Sequence, residues 1–324
     1  MSLRYKAAII KPGFNPLGAQ TSTYTYYLYT WGNNASGQLG QGDVVLRSSP
    51  VQVCALTTWS KIAGGGNNTF SIKTDGTLWS WGVNSMGELG LNDVIYRSSP
   101  VQIGALTTWS SIAGGNSHTI ATKTDGTLWA WGRGIFGQLG QNNATYRSSP
   151  VQVGALTTWS SISADNHTLA IKTDGTLWAW GYNVYGQLGL NDVVTSSSPV
   201  QVGALTTWSK TSSASNQSIA IKTDGTLWLW GNNAYGQLGL NDVILRSSPT
   251  QVGALTTWSS IAAGAGTASI ATKTDGTLWI WGRNNTGQLG KGDVVLRSSP
   301  VQIGALTTWS SIAAGAGHAI ALGY

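Results

Sequence analysis

The sequence predicts an all-β molecule assembled from six copies of one unit of about 50 residues, and three regularities predict it. The pair Trp-Gly recurs at Trp31, Trp81, Trp131, Trp180, Trp230 and Trp281, at intervals of 50, 50, 49, 50 and 51 residues. Thr-Thr-Trp-Ser places Trp59, Trp109, Trp159, Trp208, Trp258 and Trp309 at the same spacing. Asp-Gly-Thr-Leu-Trp supplies Trp79, Trp129, Trp178, Trp228 and Trp279, so that all 17 tryptophans are repeat positions. Packing is therefore the default role of each.

Within a unit, His118–Lys123 and Thr127–Trp131 read as two short strands around Asp125-Gly126. Asp-Gly is a hairpin signal, and a two-residue type I′ loop with positive φ at both central residues is expected. The tryptophans of Leu-Trp-Ala-Trp are two apart and share one strand face, with Leu128 and Ala130 on the other. Both faces are apolar, as in a sheet packed between two neighbours. The small run Ile112-Ala-Gly-Gly115 permits close approach, and the proline of Ser-Ser-Pro-Val-Gln-Val suits the start of an edge strand. About four short strands per unit make a propeller blade, and no segment carries helical periodicity.

The chain enters this pattern in mid-hairpin at Leu28-Tyr29-Thr30-Trp31 and leaves it in mid-hairpin at His318–Leu322. The two halves complement each other. The expected fold is thus a six-bladed β-propeller over residues 25–324, closed by pairing of the N- and C-terminal strands, which would hide both edges. Residues 1–24 stand outside the repeat, hold Pro12, Pro16, Gly13 and Gly18, and are expected to be an arm, either a flexible tail or an attachment peg.

Only 9% of residues are charged, against about 25% in typical globular proteins, and there are 43 glycines. So many aromatic side chains argue against disorder, and the single Cys54 excludes a disulfide scaffold. No apolar run reaches membrane-helix length, and residues 1–25 lack the apolar stretch of a signal peptide.

The repeated Trp-Gly-x-Asn-x-x-Gly-Gln-Leu-Gly, as at Trp230–Gly239, and the Ala-Gly-x-x-His-Thr-x-Ala element resemble the repeats of the regulator of chromosome condensation family. The near-identity of the copies, with the opening Ile10-Lys-Pro-Gly-Phe-Asn-Pro-Leu17, is similar to propellers encoded by marine tailed phages. Nucleotide exchange in the resembled family implies an inserted β wedge, for which units of this length leave no room. The plant UV-B photoreceptor of similar fold implies Gly-Trp-Arg-His-Thr, which does not occur here.

Net charge is +6, yet the charges fall in step with the repeat. Lys73, Lys123, Lys172, Lys222 and Lys273 each precede an aspartate by two residues. Arg47, Arg97, Arg246 and Arg297 each follow an aspartate by four; Arg147 follows Asn143, and Asp192 has Ser196 where the arginine would be. Acids and bases are expected to offset each other in turns and at the rim, leaving no basic stripe, so no nucleic-acid partner is expected. His118, His167 and His318 share one repeat position and are expected to be structural; with no ligand cluster, neither a metal nor a cofactor is expected. Cys54 replaces a repeated glycine, and the aspartates are accounted for by turn chemistry, so no catalytic residue is assigned.

Differences among the copies collect in connections, which is where recognition settles on a rigid scaffold and where drift settles too. The residue before Gly-Gln/Glu-Leu-Gly reads Ser36, Met86, Phe136, Tyr185, Tyr235 and Thr286 in order. Met86, Phe136, Tyr185 and Tyr235, with Tyr182 beside them, are the candidate partner-binding residues, since Met and aromatics are enriched at recognition surfaces. The alternative is that each side chain folds over its own blade. The expected function is a non-enzymatic binding or structural propeller, a tailed-phage virion component docked through its N-terminal arm and contacting protein or a host-surface glycan. It would be made in the host cytoplasm, without membrane insertion. The other reading is a soluble, cytoplasmic propeller that regulates or inhibits a partner protein.

Overall fold

The computed structural model describes residues 6–10, 27–56, 58–264, 268–314 and 319–323. Among these residues the chain is all strand and connection, with no helix. β1 (Lys6–Ile10), β2 (Tyr27–Gly32) and β3 (Arg47–Gln52) form a three-stranded sheet in that order. Four-stranded antiparallel sheets follow. The first pair comprises β4 (Trp59–Gly64), β5 (Asn68–Lys73), β6 (Leu78–Gly82), β7 (Arg97–Gln102), then β8 (Trp109–Gly114), β9 (His118–Lys123), β10 (Leu128–Gly132), β11 (Arg147–Gln152). Next come β12 (Trp159–Ala164), β13 (His167–Lys172), β14 (Leu177–Gly181), β15 (Ser196–Gln201), and β16 (Trp208–Ala214), β17 (Gln217–Lys222), β18 (Leu227–Gly231), β19 (Arg246–Gln251). β20 (Trp258–Ala263), β21 (Ala268–Lys273), β22 (Leu278–Gly282) and β23 (Arg297–Gln302) make the last of these, and β24 (Trp309–Ala314) pairs with β25 (Ala319–Gly323). The expected four-stranded blade is therefore present. The chain divides into two compact units, Met1–Arg133 with Tyr146–Gln152, and Gly134–Thr145 with Val153–Tyr324.

The hairpin turn differs from the type I′ loop that Asp-Gly suggests. Lys73 N donates to Thr77 O and Gly76 N to Lys73 O, and of the loop residues only Gly76 has positive φ, 78°. This is a three-residue loop, a turn followed by a left-handed glycine. The reason lies in Asp75, whose Oδ1 accepts from Thr77 N at 2.9 Å and Thr77 Oγ1 at 2.7 Å and so holds the aspartate in the ordinary backbone region. Asp125, Asp174, Asp224 and Asp275 make the same pair of bonds.

The three tryptophan series meet in each blade. Trp109 lies against both Trp129 and Trp131, with ring centroids 6.2 and 6.0 Å away, so the two tryptophans of β10 do share a face. In the first unit this cluster packs on Phe70, Leu78, Leu89 and Ile103 of the preceding sheet. In the second, Trp208 and Trp230 pack on Leu169, Leu177, Leu188 and Val202. Burying one tryptophan removes roughly 150–250 Å² from water, worth about 4–6 kcal/mol of transfer free energy, so these contacts dominate the core.

The expected pairing of Leu28–Trp31 with the C-terminal strand is not shown by this structure. β25 is hydrogen-bonded to β24, while the edge of β2 carries β1, with Ile9 opposite Leu28 and Ala7 opposite Thr30. β1 thus takes on β2 the register that β5 takes on β6, where Ile72 lies opposite Leu78. The shorter loop to a nearby segment costs less closure entropy than a pairing across the whole chain. Lys6–Ile10, within the segment expected to be an arm, is accordingly a strand of the first sheet.

His118 and His167 open β9 and β13 and are buried, as the structural reading expects; His318 lies outside the described residues. His167 Nε2 lies 2.7 Å from Ser218 Oγ. Burial pushes the His118 imidazole down to about 3, so the folded chain keeps it neutral while the unfolded chain protonates near 6.5. With the folded value depressed, the unfolded state binds more protons between those values, and stability is lost as pH falls from about 6.5, by up to about 1.4 kcal/mol per unit. A His118→Asn variant, carrying the residue found at Asn68, should lose this part of the pH dependence, read as a smaller shift of urea midpoint between pH 7 and pH 5.

Cys54 is exposed and held at φ 57°, where Gly104, Gly154, Gly203, Gly253 and Gly304 have φ between 58° and 63°. A side chain there strains the backbone without helping packing. Cys54→Gly should raise unfolding free energy by about 0.5–1 kcal/mol in the same titration; an unchanged or lower midpoint would contradict the strain.

Candidate functional site

In five of the six repeats the loop after Trp-Gly is built by one asparagine and two glycines, and the third has Gly134 in the asparagine's place. In the fourth repeat, Asn183 Oδ1 accepts from Leu188 N at 2.8 Å, and Asn183 Nδ2 donates to Asp192 Oδ1 at 2.8 Å and Val194 O at 2.9 Å. Leu188 is driven into the core, fully buried. Gly186 has φ 74°, and a Cβ there would come within 2.5 Å of Ser247 Cα, so only glycine fits. Gln187 Oε1 accepts from Tyr185 N at 2.9 Å, which fixes the residue before the glycine. The same bond holds Phe136 to Gln138 at 2.9 Å, Tyr235 to Gln237 at 2.8 Å and Met86 to Glu88 Oε2 at 2.8 Å. The candidate residues are thus equivalent positions on rigid loops, as the repeat alignment implies.

The structure brings some of them together. Phe136 and Tyr182, from successive repeats, stack with centroids 4.9 Å apart at an interplanar angle of 53°. Tyr235 carries the Arg283 guanidinium 4.9 Å from its ring centroid. Phe136, Tyr182 and Tyr185 are half-buried and Tyr235 is exposed, with Ile135 and Val184 exposed beside them. These residues belong to the second unit. Met86, half-buried, belongs to the first. Phe136 and Tyr235 therefore reach toward the next repeat and do not merely fold over their own blade.

Electrostatics follow the expected pairing in part. Asp43, Asp93, Asp242 and Asp293 each bind the arginine four residues on, at 2.5–2.6 Å. The lysines do more: Lys73 Nζ stands 3.6 Å from the Trp79 ring centroid and 5.1 Å from that of Trp59. Lys123, Lys172, Lys222 and Lys273 repeat this, so cation–π contact is added to the expected offset by the aspartate two residues on. Burial lowers the Lys73 ammonium, and the neighbouring Asp75 only partly opposes this. Hydrogen bonds from Thr77 hold Asp75 below the usual carboxylate range. Glu88, buried where the other repeats have glutamine, has its carboxyl pushed up by desolvation. Among the described residues no group of three or more His, Cys, Asp or Glu is placed to hold a metal.

One surface was not singled out from sequence. The segment between each loop aspartate and its arginine projects large apolar side chains into solvent: Val44, Val45 and Leu46 are 60%, 58% and 69% exposed, and Val94, Ile95, Val243, Ile244, Val294 and Val295 all exceed half. The Asp–Arg pair pins both ends of that segment, so the exposure is a fixed feature. The signal was present as a recurring apolar run between two charges.

Six matches to the model of the regulator of chromosome condensation (RCC1) repeat cover residues 27–72, 75–122, 125–171, 174–221, 224–269 and 275–322. No curated protein sequence matches the chain. Among solved structures, human WBSCR16 is similar at 22% identity and TM-score 0.80, over 93% of this chain and 82% of that one. Yeast RCC1 (Prp20), solved bound to Kap60, is similar at 22% identity and TM-score 0.79, over 91% and 76%. Prp20p from Saccharomyces cerevisiae, in a structure reported with its binding properties to Gsp1p and histones, is similar at 21% identity and TM-score 0.80, over 92% and 79%. With six repeat matches spanning nearly all of its length, and blades of the architecture those structures share, the chain belongs to the regulator of chromosome condensation repeat family.

Proposed function

We propose that this chain is a non-enzymatic binding propeller that seats a partner on the aromatic arc of Phe136, Tyr182, Tyr185 and Tyr235. The observation that carries this reading is the Phe136–Tyr182 stack, held on loops whose backbone is fixed by glutamine side chains. Rigid aromatics lose little conformational freedom on binding, and two of these are already ordered by each other. The apolar Val-Val-Leu segments extend the low-charge surface available to a protein partner. Sugar rings of a host-surface glycan are the other chemistry that aromatic faces accept.

The setting we propose is the virion of a tailed phage, docked through residues 1–24 and assembled in the host cytoplasm. Near-identical copies and the proline- and glycine-containing opening segment support it. A soluble regulatory propeller is the second reading, favoured by the protein partners named for yeast Prp20. Mass spectrometry of purified particles separates the two: absence from every particle fraction removes the virion reading and leaves the soluble one.

Ser36 and Thr286 show that the loop tolerates a small side chain at the position before the glycine. A Phe136→Ala, Tyr185→Ala, Tyr235→Ala variant should therefore keep its melting temperature within a few degrees while partner affinity drops at least about tenfold. Full binding by this variant would refute the arc.

A further inference from the structure

The fourth repeat departs from the others at one charge pair, and a groove opens there. In four repeats an arginine bridges two acceptors: its Nη2 meets the aspartate Oδ2, and its Nη1 donates to the carbonyl two residues before it, at 2.7 Å in Arg97 to Ile95 O and Arg246 to Ile244 O. In the fourth, Ser196 stands in the arginine's place and Thr195 where Leu46, Tyr96, Tyr146, Leu245 and Leu296 stand elsewhere. Asp192 nevertheless keeps its orientation, because Oδ1 still accepts from Val194 N at 3.0 Å and Asn183 Nδ2 at 2.8 Å. Among the described residues, its Oδ2 has no hydrogen-bond or ion-pair partner, and Asp192 is exposed where the paired aspartates are half-buried. A groove of about 680 Å³ runs from this carboxylate between β15 and the next sheet, walled by Leu190, Val200, Trp208, Trp228 and Pro249.

We propose that this groove binds an arginine side chain of a partner polypeptide, which supplies from outside the guanidinium that the other repeats carry within the chain. The two acceptors are preset: Asp192 Oδ2, and the second lone pair of Val194 O, whose first is taken by Asn183. They stand in the arrangement that Arg97 and Arg246 satisfy with a planar fork, which an ammonium cannot reproduce at both points. Apolar walls suit the methylene stem and an adjoining peptide segment. Lys222 already occupies the ring faces of Trp228 and Trp208, at 3.5 and 4.9 Å, so the incoming charge is directed to the Asp192 end. The inference does not rest on the aromatic arc, since the groove is defined by a different departure from the repeat.

The probe is N-acetyl-arginine amide, titrated into the intact chain and followed by backbone amide shifts of Asp192, Val194 and Ser196 in two-dimensional NMR. Saturable shifts confined to the fourth repeat are expected, with at least about tenfold weaker binding of N-acetyl-lysine amide. A Ser196→Arg variant restores the residue of the other repeats, so it should fold with an equal or higher melting temperature and lose the response; Asp192→Asn should lose it as well. No response in the wild type, equal binding of N-acetyl-citrulline amide, or undiminished binding by Ser196→Arg would each overturn the proposal. Failure of the arc variant would leave these titrations unaffected, so the two readings fail separately.

Discussion

In five repeats one backbone carbonyl ties the loop after Trp-Gly to the sheet that follows it. Gln38 O accepts from Trp81 Nε1 at 3.0 Å and from Thr69 Oγ1 at 2.7 Å, both on the following sheet. Glu88 O accepts likewise from Trp131 and Thr119, Gln138 O from Trp180 and Thr168, Gln187 O from Trp230 and Ser218, and Gln237 O from Trp281 and Ser269. Both lone pairs of a buried carbonyl are thereby used, and losing either donor would leave a desolvated acceptor at a cost of about 1–3 kcal/mol. The flanking glycines follow from this contact. A Cβ at Gly40 would come 2.7 Å from Trp81 Nε1, so bare backbone is required for the indole to reach the carbonyl. The same tryptophan also builds the core, which is why its pattern tolerates no other residue in any copy.

Among the described residues the sixth loop has no such contact. Nothing among them stands within reach of a Cβ at Gly287 or Gly290, and Gln288 is half-buried where Gln38 is wholly buried.

Most of the fold was legible because its determinants are short and repeated. Trp131 and Trp129 two residues apart dictate a shared face, and the glycines of Gly-Gln-Leu-Gly dictate a loop, whatever the surroundings. What escaped was decided by competition among bonds. Asp75 was read for its turn propensity, yet the hydroxyl of Thr77 two residues later selects the turn type. Lys73 was read against the nearer charge, yet the tryptophans of its own sheet offer a less hydrated seat for the cation. The Phe136–Tyr182 contact needed the crossing from one repeat to the next, which spacing alone does not reveal. Of the candidate site, sequence supplied the residues and structure supplied which of them meet.

In a chain whose copies nearly coincide, the shared residues explain the fold and only the departures can carry individual function. Glu88 for glutamine and Cys54 for glycine cost stability and create no cavity, so they read as tolerated changes. The substitution of Ser196 for arginine differs in kind. It removes a side chain that spans two acceptors while every element that orients those acceptors is retained, including Asn183, the aspartate turn and the buried leucine. Drift that relaxed the loop would have loosened those supports as well. A framework kept intact around an unpaired carboxylate is the arrangement that a partner's cation can use, and it makes the fourth repeat chemically distinct from the four whose aspartate and arginine are paired.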